Sequence, residues 1–259
     1  MSGSRPVRRK LPSLLAMLAL TGAQAGPAQA PRDPANPTCP RAPNWGTNQP
    51  MTLTVQQING HPVLLAEGRI DDNLLPRLQE ALRTFQGDEI WLRSGGGNAR
   101  IGNQAGTLIR NNNMTTRIPA GWACFSACNF LFMGGVVRHI DQGGLFIVHM
   151  FTFTSDPTVR RQVAQGADSS IGVISDVEQN SALLASEDND FLIRMGLYRT
   201  LLTEVMYQQR AVGDASNPST MRCLTLEEAR RYNVVNDRYD GPEPTPQPAP
   251  PQDRRQRRR

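Results

Sequence analysis

Polar and apolar positions alternate through residues 52–55 at the start of Thr52–Ile58, and a run of four apolar residues opens residues 63–70, on either side of Asn59-Gly60. That pattern predicts two strands joined by a tight hairpin. Asp71-Asp-Asn73 then opens a stretch that places Leu74, Leu75, Leu78, Ala81, Leu82 and Phe85 on one helical face. Glu89–Arg93 reads as a strand, Ser94-Gly-Gly-Gly97 as a tight turn, and Asn98 as the cap of a helix reaching about Asn112. A strand at 115–119, a helix starting near Ser126 and a strand at Leu145–His149 follow. From 170 to 195 the spacing turns helical and long, with Ile171, Ile174, Val177, Ser181, Leu184 and Leu192 recurring on one side. A second helix is expected at 200–209 and a polar loop at 214–220. A short helix at 224–232 is marked by Thr225 and Glu228 as a capping box. Strands alternating with helices predict an α/β fold with a mostly parallel sheet and surrounding helices.

The two ends of the chain differ from this middle. Arg5, Arg8, Arg9 and Lys10 precede a short apolar run and an Ala-x-Ala site, the pattern of a secretory signal peptide over 1–25, with cleavage after Ala25 or Ala30. The apolar run is about half the length that spans a bilayer. Residues 26–50, rich in Pro, Ala and Asn, read as an extended leader, which leaves 51–240 as the domain. The Pro- and Arg-rich stretch 241–259 reads as a disordered tail. The formal charge of +5 falls to +1 once the four cations of 1–25 are removed, and the tail carries +3 of what is left. The domain itself is therefore slightly acidic, which gives no electrostatic case for nucleic acid as a partner. Export also bears on Cys39, Cys124, Cys128 and Cys223. An even count in an oxidising compartment predicts two disulfides, with three connectivities open. The Cys-x3-Cys spacing, with no nearby histidine pair, argues against a metal site.

Candidate chemistry gathers between 94 and 149. Ser126 stands among small and apolar residues at the expected start of a helix, where the amide of Ala127 is a natural oxyanion donor. The Ser94–Gly97 turn exposes further amides, those of Gly96 and Gly97, at another helix start. Its glycine spacing matches neither the Walker nor the dinucleotide pattern. A serine hydroxyl needs a base. Lys10 is the only lysine and leaves with the signal, so the choice falls among His61, His139 and His149. His149 ends an apolar strand, the place where parallel sheets present their ligands.

The order strand, Ser-Gly-Gly-Gly, helix, strand, Cys-Phe-Ser-Ala-Cys, helix, Gly-Gly, Arg138, strand ending in His149 resembles the ClpP/crotonase superfamily over about residues 60–240. The likeness is nearest to its ClpP and signal-peptide-peptidase side. It implies a ClpP/crotonase-like fold and a serine endopeptidase-type hydrolase with Ser126 as nucleophile and His149 as base. It implies no metal or other cofactor, a peptide or protein substrate and a homo-oligomer; separately, no stretch after the signal is apolar enough to give a stable membrane span. Read with the signal, the resemblance places the protein in a bacterial periplasm. Gly95 stands where the family carries proline. The acid position falls near Asn217, with Asp214 three residues earlier as the preferred candidate and Asp237 read as structural. Two other readings stand beside this one: a non-catalytic envelope protein with a degraded triad, and an acyl-coenzyme A binder of crotonase type.

Overall fold

The computed structural model describes residues 32–33, 36–153, 156–209 and 221–237. The signal-like stretch 1–25, the acid candidates Asp214 and Asn217, and the tail 241–259 lie outside the described residues. All described elements belong to one unit, 31–259. It begins with two short paired strands, β1 (Arg32–Asp33) and β2 (Asn36–Pro40).

Asn59 and Gly60 both adopt left-handed backbone, φ 52° and 82°, which is what a two-residue hairpin turn demands. They join β3 (Thr52–Ile58) to β4 (His61–Glu67) in antiparallel register. Helix α1 (Leu74–Thr84) buries Leu74, Leu78 and Leu82 and returns the chain to β5 (Glu89–Arg93). Helix α2 (Ala99–Asn111), capped by the Asn98 side chain on the amide of Ile101, leads to β6 (Thr115–Ile118). After β7 (Ala123–Phe125) and α3 (Cys128–Gly134) comes β8 (Arg138–Ile140), which completes a five-stranded sheet in the order β3-β4-β5-β6-β8. Apart from the β3 hairpin its pairs are parallel, as the alternating pattern predicts.

A second sheet carries β9 (Leu145–His149) between β7, parallel to it, and β10 (Met221–Cys223), antiparallel to it. Its side chains alternate with the pleat. Cys124, Phe146 and Val148 enter the main core, while Ala123, Ile147 and Cys223 form a smaller cluster on the other face. That outer face needs a cover, and the residues expected as a leader supply it. Cys39 is bonded to Cys223, Trp45 stacks on Phe125 at 5.4 Å, and the amide of Ala123 donates to Asn44 O at 2.8 Å. Residues 36–50 thus act as a strap over the second sheet.

Arg138 and His139, two polar residues in sequence, form most of β8, and that strand is buried. Arg138 is only 1% exposed, yet no carboxylate neutralises it among the described residues. Its guanidinium donates to the carbonyls of Gly135, Asn233 and Val234 at 2.8–2.9 Å. Arg110 similarly reaches Gly134, Gly135 and Met195. Burial, helped by the charge of Arg110, pushes the Arg138 pKa down to about 10, still well above neutral pH. His139 is held between Asp141 and Asp237, so Asp237 has a structural partner.

Beyond His149, α4 (Pro157–Val163) precedes the long α5 (Ala167–Arg194). The helix expected at 200–209 is a π-helical turn, Leu201–Val205, followed by a 3-10 turn, Met206–Gln208. The chain ends its described course in α6 (Leu226–Arg231), with the Thr225/Glu228 capping box formed. No described helix is long and apolar enough to cross a membrane.

The strap makes a prediction. Replacing Cys39 and Cys223 together by serine removes a crosslink between residues 184 apart, and loss of a native disulfide costs about 2–5 kcal/mol. A thermal melt should therefore show Tm lowered by roughly 5–15 °C. An unchanged Tm would mean that residues 36–50 contribute nothing to holding the second sheet.

Candidate active site

Strand β7 ends at Phe125 and α3 begins at Cys128, so Ser126 sits in the turn between them, two residues before the helix. Its backbone is left-handed, φ 59°, a conformation that non-glycine residues adopt seldom and at a cost. Three contacts hold it there. The carbonyl of Ser126 accepts from the amide of Asn129 at 2.9 Å, and the amide of Phe125 donates to Ser94 O at 3.0 Å. The Cys124–Cys128 disulfide closes across the turn. The cysteine pair that flanks the serine in sequence thus clamps its conformation.

The glycine turn meets this serine directly. Ser94 is fully buried, and its backbone bridges that of Cys124 in parallel fashion, which welds the end of β5 to β7. Gly96 then passes so close that a Cβ on it would lie 2.6 Å from Ser126 Cβ and 2.7 Å from Phe125 O. The three expected oxyanion donors are not equivalent. The Gly96 amide donates to Ser94 Oγ at 3.0 Å and is thereby occupied. Among the described residues no acceptor takes the amides of Gly97 or Ala127. The available pair is therefore Gly97 and Ala127.

His149 ends β9 with its Nε2 2.6 Å from Ser126 Oγ. Strand pairing sets this distance: Phe125 is in register with Ile147 on one side, and Met221 with His149 on the other. The Phe125 ring lies 4.6 Å from the imidazole. Burial pushes the His149 pKa below the usual histidine value, and the Met150 backbone opposes only part of that shift. A neutral imidazole is the form that can take a proton from a serine. The other histidines are placed elsewhere: His61 is exposed at the hairpin, and His139 is engaged with Asp141 and Asp237. No carboxylate pairs with His149 among the described residues. Asp214 and Asn217 lie in 210–220, outside them, and the described chain resumes at Met221, directly opposite His149.

Beside Ser126 and His149 opens a cavity of about 50 Å³, lined by apolar side chains together with Asn129 and Asp188. Asp188 lies within the polar run Ser186-Glu-Asp-Asn-Asp190 and is absent from the sequence-based site. A signal for it exists in the helical phase. Residue 188 falls four after Leu184 and four before Leu192, on the apolar side of α5.

No family model and no curated protein matches the sequence. Among solved structures the chain is similar to a ClpP1 mutant from Listeria monocytogenes, at 15% identity and a TM-score of 0.45, covering 67% of this chain and 88% of that one. It is also similar to a mutant of a membrane-bound stomatin-specific protease, at 12% identity and a TM-score of 0.41, covering 67% of this chain and 75% of that one. So distant a likeness carries no argument about chemistry, which rests on Ser126, His149 and the glycine turn.

The contact between Gly96 and Ser126 can be tested against a control. Gly60 shares the left-handed backbone, but a Cβ there would meet nothing within 4 Å. Gly60→Ala should cost only the conformational penalty, about 1–2 kcal/mol. Gly96→Ala adds a collision with backbone and should cost roughly 2 kcal/mol more, read from paired denaturant melts. Equal losses in the two variants would mean that the turn does not press on the serine.

Proposed function

We propose that the chain is an exported serine hydrolase of the peptidase type. The observation that carries this reading is the 2.6 Å approach of His149 Nε2 to Ser126 Oγ, made beside two amides with no described acceptor. Ser126 Oγ attacks an amide or ester carbonyl while His149 takes its proton. The imidazolium then returns the proton to the leaving group, and water repeats the sequence on the acyl-enzyme. The amides of Gly97 and Ala127 stabilise the oxyanion, each such donor being worth about 3–4 kcal/mol of barrier.

Asp214 is the proposed orienting acid, with Asn217 as the alternative. They precede Met221 by seven and four residues, within a reach of roughly 25 and 14 Å for extended chain. Export to a periplasm is proposed from the pattern of residues 1–25, and the two disulfides, Cys39–Cys223 and Cys124–Cys128, agree with an oxidising compartment. A peptide substrate and a homo-oligomeric state remain part of the same proposal. One observation favours a second reading, a non-catalytic envelope protein: no described carboxylate supports His149.

Hydrolysis of short-chain p-nitrophenyl esters by the purified exported chain separates the two. Ser126→Ala and His149→Ala should each lower kcat/KM by about 100-fold or more. The base must be neutral, and burial lowers its pKa. Activity should therefore persist as the pH drops to about 6.5, the ordinary histidine value, and fall only below it. Hydrolysis unchanged in Ser126→Ala, or an acid limb centred above that value, would contradict the proposal.

A further inference from the structure

Asp188 is 5% exposed and lines the cavity beside Ser126 and His149. Apart from Asn129, its other neighbours there are apolar, among them Phe130, Met133 and Leu192. Among the described residues no hydrogen bond or ion pair reaches its carboxyl group. A second polar side chain, Asn129, lines the same cavity. Asn129 donates from Nδ2 to Ile147 O at 2.8 Å, but its Oδ1 is buried with no hydrogen-bond partner. Buried polar atoms are ordinarily satisfied, and each one left alone destabilises the fold. A buried carboxyl group without a hydrogen bond, in a small apolar space next to a nucleophile, forms an arrangement that a ligand completes.

We propose that Asp188 is a specificity-determining residue, and that this cavity receives a short aliphatic side chain of the substrate ending in a hydrogen-bond donor. The assignment rests on the serine-hydrolase reading, since Ser126, Ala127 and His149 all line the cavity. The aliphatic stem packs against Phe130, Met133 and Leu192, and the terminal donor meets the Asp188 carboxyl group. A wholly aliphatic side chain of the same size fills the space but leaves the Asp188 carboxyl group unpaired. Sites built around a buried polar group reject analogues that lack its partner far more strongly than they sort apolar groups by size. The size of the cavity, about 50 Å³, limits the guest to a few heavy atoms. Burial, reinforced by the charge of Glu187, pushes the Asp188 pKa up to about 7. Near neutrality the carboxyl group therefore exists in both forms and can accept from a hydroxyl or pair with an amine.

The test uses the full exported chain carrying Ser126→Ala, so that binding is read without chemistry. Three acetylated amino-acid methylamides serve as probes, with propyl, 2-hydroxyethyl and 2-aminoethyl side chains of equal heavy-atom count. Their affinities are measured by NMR shift titration. The hydroxyl and amino probes should bind at least about tenfold more tightly than the propyl probe. Adding Asp188→Leu should reverse that order, and adding Asp188→Asn, nearly isosteric and the safer variant for folding, should keep the hydroxyl preference while abolishing the amino preference. Equal or tighter binding of the propyl probe, an unchanged order in Asp188→Leu or Asp188→Asn, or no binding of any probe would overturn the assignment. Ester hydrolysis by the unmodified chain reports separately whether Ser126 reacts, so failure of the specificity assignment and failure of the hydrolase reading are distinguishable.

Discussion

The site depends on one close approach: the backbone of Gly96 lying against Ser126. It is possible only because residue 96 has no side chain, since a Cβ would fall 2.6 Å from Ser126 Cβ. Two other constraints meet at the same point. The Ser94 backbone pairs with Cys124, and the Cys124–Cys128 disulfide closes over the serine from the other side. A serine with left-handed backbone would relax if left to itself. Here the surrounding structure determines it from three directions, which fixes the hydroxyl in front of His149.

The rest of the fold supplies the rigidity those constraints need. Helices α3 and α5 both end near Arg110 and Arg138, whose guanidinium groups donate to the carbonyls at Gly134, Gly135 and Met195. Cations at helix C-termini are favourable, and these also satisfy carbonyls that would otherwise be orphaned. Through Asn233 and Val234 the same Arg138 holds the segment following α6. At the opposite face the residues around Cys39 and Trp45 cover the sheet that carries Ser126 and His149. The catalytic candidates therefore sit on a three-stranded sheet packed on both sides.

What could be read from the sequence was what local chemistry decides. The Asn59-Gly60 hairpin, the strand Glu89–Arg93, the Asn98 cap and the Thr225/Glu228 box all announce themselves within a few residues. The Ser126–His149 pairing was legible because few bases were on offer. What was missed depends on distant partners. The burial of Arg138 on β8 has no local sign because the carbonyls that satisfy it come mostly from residues almost a hundred positions away. Residues 36–50 looked like a leader because the partner of Cys39 is 184 residues on. The helix was placed two residues early at Ser126 because no residue type there announces a left-handed turn; the strain is imposed by the neighbours. Asp188 stands in a run of polar and charged residues, and only its phase on α5, which points it inward, sets it apart.

The central claim is that this geometry makes Ser126 a nucleophile activated by His149. The most direct measurement is labelling of the folded, exported chain with a fluorophosphonate, the modified residue being located by peptide mass spectrometry. The account predicts a label on Ser126, absent from the denatured protein and lost in His149→Ala. A folded chain that leaves Ser126 unlabelled, or a label that survives loss of His149, would contradict it.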